Sequence, residues 1–227
     1  MIGGLQKVTL LDFPGKIACT VFLTGCNLRC PYCHNPELVL PRNNGKTVSE
    51  NELFEFLFSR KGKLDGVCIT GGEPMLYPSL PDLIRRIKEM GFLVKLDSNG
   101  TLPEMLEHLL REELLDYVAM DIKNAPSRYA ETCGADVIAN VKKSVALLKN
   151  GNIDYEFRTT VCHPLHSPED IREIGRWICG ARRYFLQPFV DSGNMLGSGV
   201  SVMTRTELEE LLSAVKPYIP AAALRGV

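Results

Sequence analysis

Apolar runs typical of β-strands alternate along this chain with amphipathic stretches typical of α-helices. The predicted strands lie at residues 16–23, 66–70, 92–97, 117–121, 154–161 and 184–187. Strands that alternate with helices form a parallel sheet, because each helix returns the chain to the start of the next strand. Six such units are two short of a closed eight-stranded barrel. The pattern therefore predicts an α/β fold, an open partial (β/α)6 barrel of the TIM type with parallel strands, in a single domain over residues 1–227.

Polar capping residues mark the starts of the helices that follow these strands. The expected N-caps are Ser49, Ser79, Asp136, Ser167 and Thr204, and a further helix is expected at residues 103–111. A side-chain oxygen at an N-cap accepts hydrogen bonds from N–H groups that the first helical turn leaves unpaired. Three long connections, at residues 36–48, 125–135 and 190–202, are candidates for partner-binding loops. Residues 225–227 are expected to form a frayed end.

Three cysteines lie in the loop after the first predicted strand, with three residues and then two between them. They are Cys26, Cys30 and Cys33. Thiolates this close on a loop that contains glycine and proline can converge on one metal centre. No fourth cysteine is near in sequence, so the set is one ligand short of a closed zinc or iron–sulfur site. An iron–sulfur cluster held by three thiolates keeps one iron open to another molecule, whereas the spacing alone also leaves a zinc loop or a disulfide pair possible.

Glycines and polar residues collect at the ends of the predicted strands, where parallel α/β folds carry their chemistry. They include Gly71-Gly72-Glu73-Pro74, Asp97-Ser98-Asn99-Gly100, Asp121-Ile122-Lys123 and Gln187-Pro188-Phe189. Two adjacent glycines let a ligand approach the backbone closely. Arg158 lies within a predicted strand, which is costly unless the arginine is paired or faces the site. The alternatives are an ordinary turn at 71–74, an Asx turn at 97–100 and a surface ion pair at Asp121 and Lys123.

The cysteine spacing, with Tyr32 just before the third cysteine, resembles the cluster motif of the radical S-adenosylmethionine (SAM) enzymes. The longer strings Leu11-Asp12-Phe13-Pro14-Gly15-Lys16 and 25–38 resemble the glycyl-radical-enzyme activases, above all those of anaerobic ribonucleoside-triphosphate reductases. Asp97-Ser98-Asn99-Gly100 and Asp121-Ile122-Lys123 are similar to activase segments at the same strand ends. The resemblance implies a [4Fe–4S] cluster on Cys26, Cys30 and Cys33, with SAM on the open iron.

The same resemblance implies a set of SAM contacts. They are Tyr32, Asn35, Gly71, Gly72, Glu73, Pro74, Asp97, Ser98, Asn99, Asp121, Lys123 and Arg158. Lys123 would meet the methionine carboxylate, and the segment around Glu73, together with Asp121, would meet the amino group. No catalytic side chain is expected beyond the cluster and the SAM site. Formate-lyase activases have a histidine after Gln187-Pro188-Phe189, but this chain has Val190, which argues against formate lyase as the partner.

The resemblance implies that SAM is cleaved reductively to a 5′-deoxyadenosyl radical, which takes a Cα hydrogen from a glycine of a partner enzyme. Anaerobic ribonucleotide reductase is the expected partner, with flavodoxin or ferredoxin as the electron donor. One alternative is a radical SAM enzyme that acts on a small molecule, similar to the 7-carboxy-7-deazaguanine synthases. Another is a non-catalytic iron–sulfur or zinc module.

Charge, hydropathy and cysteine usage indicate which partners and which cellular compartment to expect. The formal net charge of −1 gives no basic field for nucleic acid. We find no run of about 18 apolar residues and no leader pattern, so we expect no membrane contact and a cytoplasmic location. Five further cysteines are scattered through the chain, which fits a reducing compartment better than a disulfide framework. They are Cys19, Cys68, Cys133, Cys162 and Cys179, and the first two are expected to behave as small hydrophobes in core strands.

Overall fold

The computed structural model describes residues 1–40 and 47–227, which divide into two compact units built from several stretches of chain. The first unit comprises Met1–Asn27, Glu37–Ser98 and Leu102–Val118, and the second comprises Leu28–Pro36, Asn99–Thr101 and Ala119–Val227. The predicted single domain over residues 1–227 stays a prediction. Residues 41–46, which belong to the predicted connection 36–48, lie outside the described residues.

Four strands belong to the first unit. They are β1 (Ile2–Thr9), β2 (Ala18–Leu23), β3 (Gly66–Gly71) and β4 (Leu93–Ser98). β2 pairs in parallel with β3, and β3 with β4, as expected from the intervening helices. β1 pairs antiparallel with β2 and was not predicted. Its glycines and exposed polar residues lack the apolar alternation that identifies a strand in sequence.

The helices whose bounds lie in the first unit begin close to the predicted positions. They are α2 (Glu50–Ser59), α3 (Leu80–Glu89) and α4 (Pro103–Arg111), and α1 (Pro36–Val39) precedes them. The Ser49 hydroxyl accepts from the Glu52 N–H at 3.2 Å, and the Glu52 carboxylate accepts from the Ser49 N–H at 2.8 Å. Ser79 stands at the N-cap position of α3 but makes no side-chain capping bond, because its ψ of 15° departs from the extended conformation of a cap.

The second unit holds the later strands and helices. β5 (Tyr117–Asp121) passes into it at Ala119, and β6 (Asp154–Val161), β7 (Tyr184–Pro188) and β8 (Ala223–Leu224) follow. The helices are α5 (Tyr129–Cys133), α6 (Ile138–Asn150), α7 (Pro168–Trp177) and α8 (Arg205–Val215). β6, β7 and β8 pair in parallel. All six predicted strands are therefore present, as β2 to β7, and the parallel α/β class is confirmed.

Two of the three N-caps predicted in the second unit are confirmed. Ser167 and Thr204 each form a capping box, with Asp170 and Glu207 respectively. Asp136 is wrong as an N-cap, since α6 begins one residue later with Val137 in that position and no side-chain capping bond. Local sequence signals set helix starts to within a residue or two, which is the usual precision.

Arg225 is held by a buried carboxylate, so the predicted frayed end at residues 225–227 is wrong for this residue. The Arg225 N–H donates to the Leu186 carbonyl at 3.0 Å. The Arg225 guanidinium donates to both carboxylate oxygens of Glu156, at 2.6 and 2.9 Å, and Glu156 is 1% exposed. A buried carboxylate such as that of Glu156 requires a counter-charge. Its partner Arg225 follows β8, two strands later in the sequence, so no local pattern reveals the pair.

Among the described residues, no helix combines the length and the apolar character that crossing a membrane requires.

Candidate functional site

The cluster loop continues into the second unit with Cys30 and Cys33, whose main chains are joined directly. The Cys33 N–H donates to the Cys30 carbonyl at 3.1 Å. The loop after β7 lies against this turn, since the Leu196 N–H donates to the Cys33 carbonyl at 3.3 Å and the Gly197 N–H to the Pro31 carbonyl at 3.0 Å. A Cβ on Gly197 would lie 2.8 Å from the Pro31 Cβ, so only glycine allows this approach. The connection 190–202 thus contacts the cluster loop.

The Cys30 thiol has an environment that favours the thiolate. A hydrogen bond from Cys133 lowers its pKa, burial raises it, and the charge of Lys123 lowers it again, with a result of about 7. Burial instead raises the pKa values of Cys19 and Cys162 to about 12. Because the thiolate is the form that binds metal, Cys30 is suited to be a ligand and the other two thiols are not. The contact with Cys133 was missed, since that residue is far away in the sequence.

Cys26 lies in the first unit, where the Gly71-Gly72 segment packs against its loop. The Gly72 N–H donates to the Leu23 carbonyl at 2.9 Å, and the Glu73 N–H to the Gly25 carbonyl at 2.7 Å. A Cβ on Gly72 would lie 2.0 Å from the Gly25 oxygen and 3.2 Å from the Cys26 Cβ. Gly72 is therefore required by the main chain of the cluster loop, and Gly71 by that of β2, since a Cβ on Gly71 would lie 2.1 Å from the Leu23 oxygen.

Glu73 and Ser98, predicted from two different strand ends, meet in the interior of the first unit. The Ser98 hydroxyl lies 3.1 and 3.3 Å from the two Glu73 carboxylate oxygens, and the Met75 N–H donates to the same carboxylate at 3.1 Å. Both residues are buried, and a short 3-10 helix begins at Pro74, directly after Glu73. The carboxylate of Glu73 thus stabilises this turn through bonds within the protein.

Asp97 has a partner that the sequence analysis did not identify. The Lys95 ammonium, which is only 2% exposed, forms an ion pair with the Asp97 carboxylate and lies 3.6 Å from the Cys68 sulfur. A buried lysine needs such a counter-charge. The signal was available, because Lys95 and Asp97 are two apart on one strand and so point to the same face.

Asn99 belongs to the second unit and forms the Asx turn that the sequence left as an alternative. Its side-chain oxygen accepts from the Thr101 N–H at 3.0 Å and from the Thr101 hydroxyl at 2.6 Å. Gly100 follows with a φ of +75°, and a Cβ there would lie 2.1 Å from the Met120 methyl. The turn after β4 is thus fixed by local bonds and by the absence of a side chain at Gly100.

Asp121, Lys123 and Arg158 form one charged cluster at the ends of β5 and β6. The Arg158 Nε donates to one Asp121 oxygen at 2.9 Å, and the Lys123 Nζ donates to the other at 2.9 Å. Burial raises the Asp121 pKa, but the charges of Arg158 and Lys123 outweigh it and hold the pKa at about 2. Two cations share one carboxylate, so these three side chains together carry one positive charge, which suits them to bind a further carboxylate. Arg158 is paired, as its place in an apolar strand required.

Tyr32 links the cluster loop to this charged segment. Its side chain is 3% exposed, and its hydroxyl lies 3.5 Å from the Lys123 carbonyl oxygen. His34 stacks on Phe189 with the ring centroids 5.4 Å apart. Asn35 is exposed. The second unit thus brings together Cys30, Tyr32 and Lys123, three of the predicted site residues.

The thiols of the chain fit an iron–sulfur cluster in chemical type. No disulfide joins the eight cysteines, all of which are described, so the disulfide alternative is not realised. Within residues 1–40 and 47–227, no three His, Cys, Asp or Glu side chains gather closely enough to hold a metal ion. A four-iron cluster takes each thiolate on a separate iron, so its ligands stand farther apart than those of a single ion. The three predicted ligands stay a prediction.

Comparison with known families and proteins gives these features a context. The model of the radical SAM superfamily matches residues 20–178. The chain belongs to this superfamily. Its members use a [4Fe–4S] cluster and SAM, which confirms the two predicted cofactors.

Individual relatives refine the assignment. A candidate glycyl-radical enzyme activating enzyme of Methanocaldococcus jannaschii is 34% identical over 237 residues, which cover 100% of this chain and 96% of that protein. This match places the chain in the family of radical SAM activating enzymes.

A 7-carboxy-7-deazaguanine synthase of Methanopyrus kandleri is 32% identical over 160 residues, which cover 57% of this chain and 63% of the synthase. Streptococcus suis SuiB is similar in structure, with a TM-score of 0.71 at 16% identity over 91% of this chain and 48% of SuiB, which shows the fold alone.

Proposed function

We propose that this radical SAM enzyme generates a glycyl radical on anaerobic ribonucleoside-triphosphate reductase. The observation that carries the activase function is the full-length match to an activating enzyme. The strings at residues 11–16 and 25–38 support the particular partner, because they resemble activases of that reductase. Val190, where formate-lyase activases have histidine, argues against formate lyase.

Cys26, Cys30 and Cys33 would hold the cluster, which, when bound, supplies the electron that cleaves SAM to methionine and a 5′-deoxyadenosyl radical. The pKa of about 7 at Cys30 keeps a large fraction of this ligand as thiolate at neutral pH. Tyr32 lies between two ligands, is buried and would exclude water from that side of the cluster. Flavodoxin or ferredoxin is proposed as the electron donor.

The methionine end of SAM carries one carboxylate and one ammonium, and the chain offers a matching group for each. Lys123 and Arg158 exceed Asp121 by one positive charge, so they would bind the carboxylate. The Glu73 carboxylate already accepts from Met75 and Ser98, so main-chain carbonyls of the Gly71–Pro74 segment would meet the ammonium. The remaining proposed SAM contacts are Tyr32, Asn35, Asp97, Ser98, Asn99 and Asp121.

The test combines the reconstituted chain with candidate partners under anaerobic conditions. Reconstitution should give about four irons per chain, and SAM with a low-potential reductant should give a glycyl radical on the reductase, read by electron paramagnetic resonance (EPR) as a doublet. Formate lyase is the matched comparison and should stay without a radical. Radical formation on formate lyase alone would overturn the assignment of the partner.

A second candidate function is 7-carboxy-7-deazaguanine synthesis, favoured by the match to the synthase of Methanopyrus kandleri. It predicts turnover of a pterin-type small molecule without any glycyl radical. The same reconstituted chain, incubated with that substrate and analysed for product, distinguishes the two functions.

A further inference from the structure

The main chain of Lys123 is held by three aromatic side chains of the second unit. The Lys123 N–H donates to the Tyr129 hydroxyl at 3.2 Å. The Lys123 carbonyl oxygen lies 2.9 Å from the His166 Nε2 and 3.5 Å from the Tyr32 hydroxyl. Both polar groups of this residue's backbone therefore bond to side chains, and one of those side chains belongs to the cluster loop.

The hydrogen bonds of His166 determine its tautomer. The Cys162 N–H donates to the His166 Nδ1 at 3.2 Å, which requires the lone pair of that nitrogen. The same nitrogen lies farther, at 3.4 Å, from the Cys162 carbonyl, whereas Nε2 lies 2.9 Å from the Lys123 carbonyl and needs a proton to bond to it. The ring is 3% exposed, and burial lowers its pKa, so it is neutral with its single proton on Nε2. This proton faces the Lys123 carbonyl. His166 thus joins the residue that follows β6 to the segment that follows β5.

The bond from His166 is the dominant one at the Lys123 carbonyl. A distance of 2.9 Å is ordinary for an N–H donor, whereas the 3.5 Å from the Tyr32 hydroxyl is long for an O–H donor. The rings of His166 and Tyr32 also touch edge to face, with centroids 6.2 Å apart. His166 therefore fixes the carbonyl against which Tyr32 rests.

We propose that His166 is a positioning residue for the SAM site, because its hydrogen bond to the Lys123 carbonyl fixes Lys123 and Tyr32 relative to each other. Its hydrogen bonds go to main-chain atoms of Lys123 and Cys162, so its effect on SAM is indirect. The inference rests on the proposed function, since the position of Lys123 matters to activity only if the chain binds SAM there.

Two amide replacements separate the two hydrogen bonds of the ring. The amide nitrogen of His166→Gln reaches the place of Nε2 and can still donate to Lys123, whereas His166→Asn reaches only the place of Nδ1. On the reconstituted chain, equilibrium dialysis with SAM should give a Kd within about threefold of wild type for Gln and about tenfold weaker for Asn, the effect of one buried hydrogen bond. Iron content should be unchanged in both, because no ligand is altered.

Two further variants complete the test. Tyr129→Phe removes the acceptor of the Lys123 N–H and should weaken SAM binding at least about threefold. If the His166 variants fail to fold, this variant still tests whether the position of the Lys123 main chain affects SAM binding. His108→Gln, on the surface of α4, is the matched control and should bind SAM as wild type does. If His166→Asn binds SAM as tightly as wild type, or His166→Gln binds SAM as weakly as His166→Asn, the proposal for His166 is overturned. A wild-type chain that binds no SAM would instead overturn the proposed function.

Discussion

Replacement of Asp121 by asparagine should destabilise the chain by about 2.5 kcal/mol at neutral pH. The carboxyl pKa lies at about 2 in the folded chain, compared with 3.8 for an ordinary aspartate. A difference of about 1.8 pKa units at about 1.4 kcal/mol per unit gives about 2.5 kcal/mol of charge stabilisation. Asparagine keeps the shape and loses the charge, so it removes the carboxylate that Lys123 and Arg158 share.

Urea unfolding of the metal-free chain at pH 7 measures this free energy. Asp82→Asn is the matched control, because Asp82 pairs with Arg85 on the exposed face of α3 and an exposed pair contributes about 0.5 kcal/mol. The pH dependence gives a second measurement. Because the folded pKa lies below the unfolded one, the stabilisation is complete above the ordinary carboxyl range and is lost as pH falls toward 2. The difference between wild type and Asp121→Asn should therefore shrink between pH 4 and pH 2.

A loss at Asp121 no larger than the loss at Asp82 would refute this reasoning. So would a difference between wild type and Asp121→Asn that stays constant as the pH falls, since a constant difference has no connection with the Asp121 charge.

Two further predictions concern the cluster loop. Cys30→Ser should abolish cluster assembly and SAM cleavage, whereas Cys162→Ala should leave both intact because the Cys162 thiol is held protonated. Assays of bound iron and of released 5′-deoxyadenosine check this. Loss of SAM cleavage in Cys162→Ala would contradict the ligand assignment. Gly72→Ala should cost about 3 kcal/mol, because its Cβ would lie 2.0 Å from the Gly25 oxygen. Gly91→Ala, which has a φ of +91° but open space, should cost about 1 kcal/mol, and equal urea midpoints for the two variants would contradict the packing described.

The sequence predicted those parts of the fold that have local signals. The six core strands are apolar and β-branched, and the capping boxes at Ser49 and Thr204 are complete within four residues. β1 and β8 were missed for opposite reasons, since β1 is rich in glycine and exposed residues and β8 is only two residues long. Neither strand carries an apolar alternation long enough to recognise.

The same division applies to the candidate site. The cysteine motif and the strand-end segments are contiguous, so they can be read directly from the chain. Lys95 and His166 were missed because their significance depends on burial and on partners that only the fold supplies. Charged or imidazole side chains in apolar surroundings were the available signal, and the structure shows the Asp97 carboxylate and the Lys123 carbonyl as their counterparts.

The most direct test of the account is the EPR spectrum of the anaerobically reconstituted and reduced chain, recorded with and without SAM. An iron–sulfur cluster held by three cysteines has one iron that SAM can reach, so addition of SAM should shift the spectrum of the reduced cluster. A spectrum that SAM leaves unchanged, or a site that takes up zinc and no iron, would contradict the account.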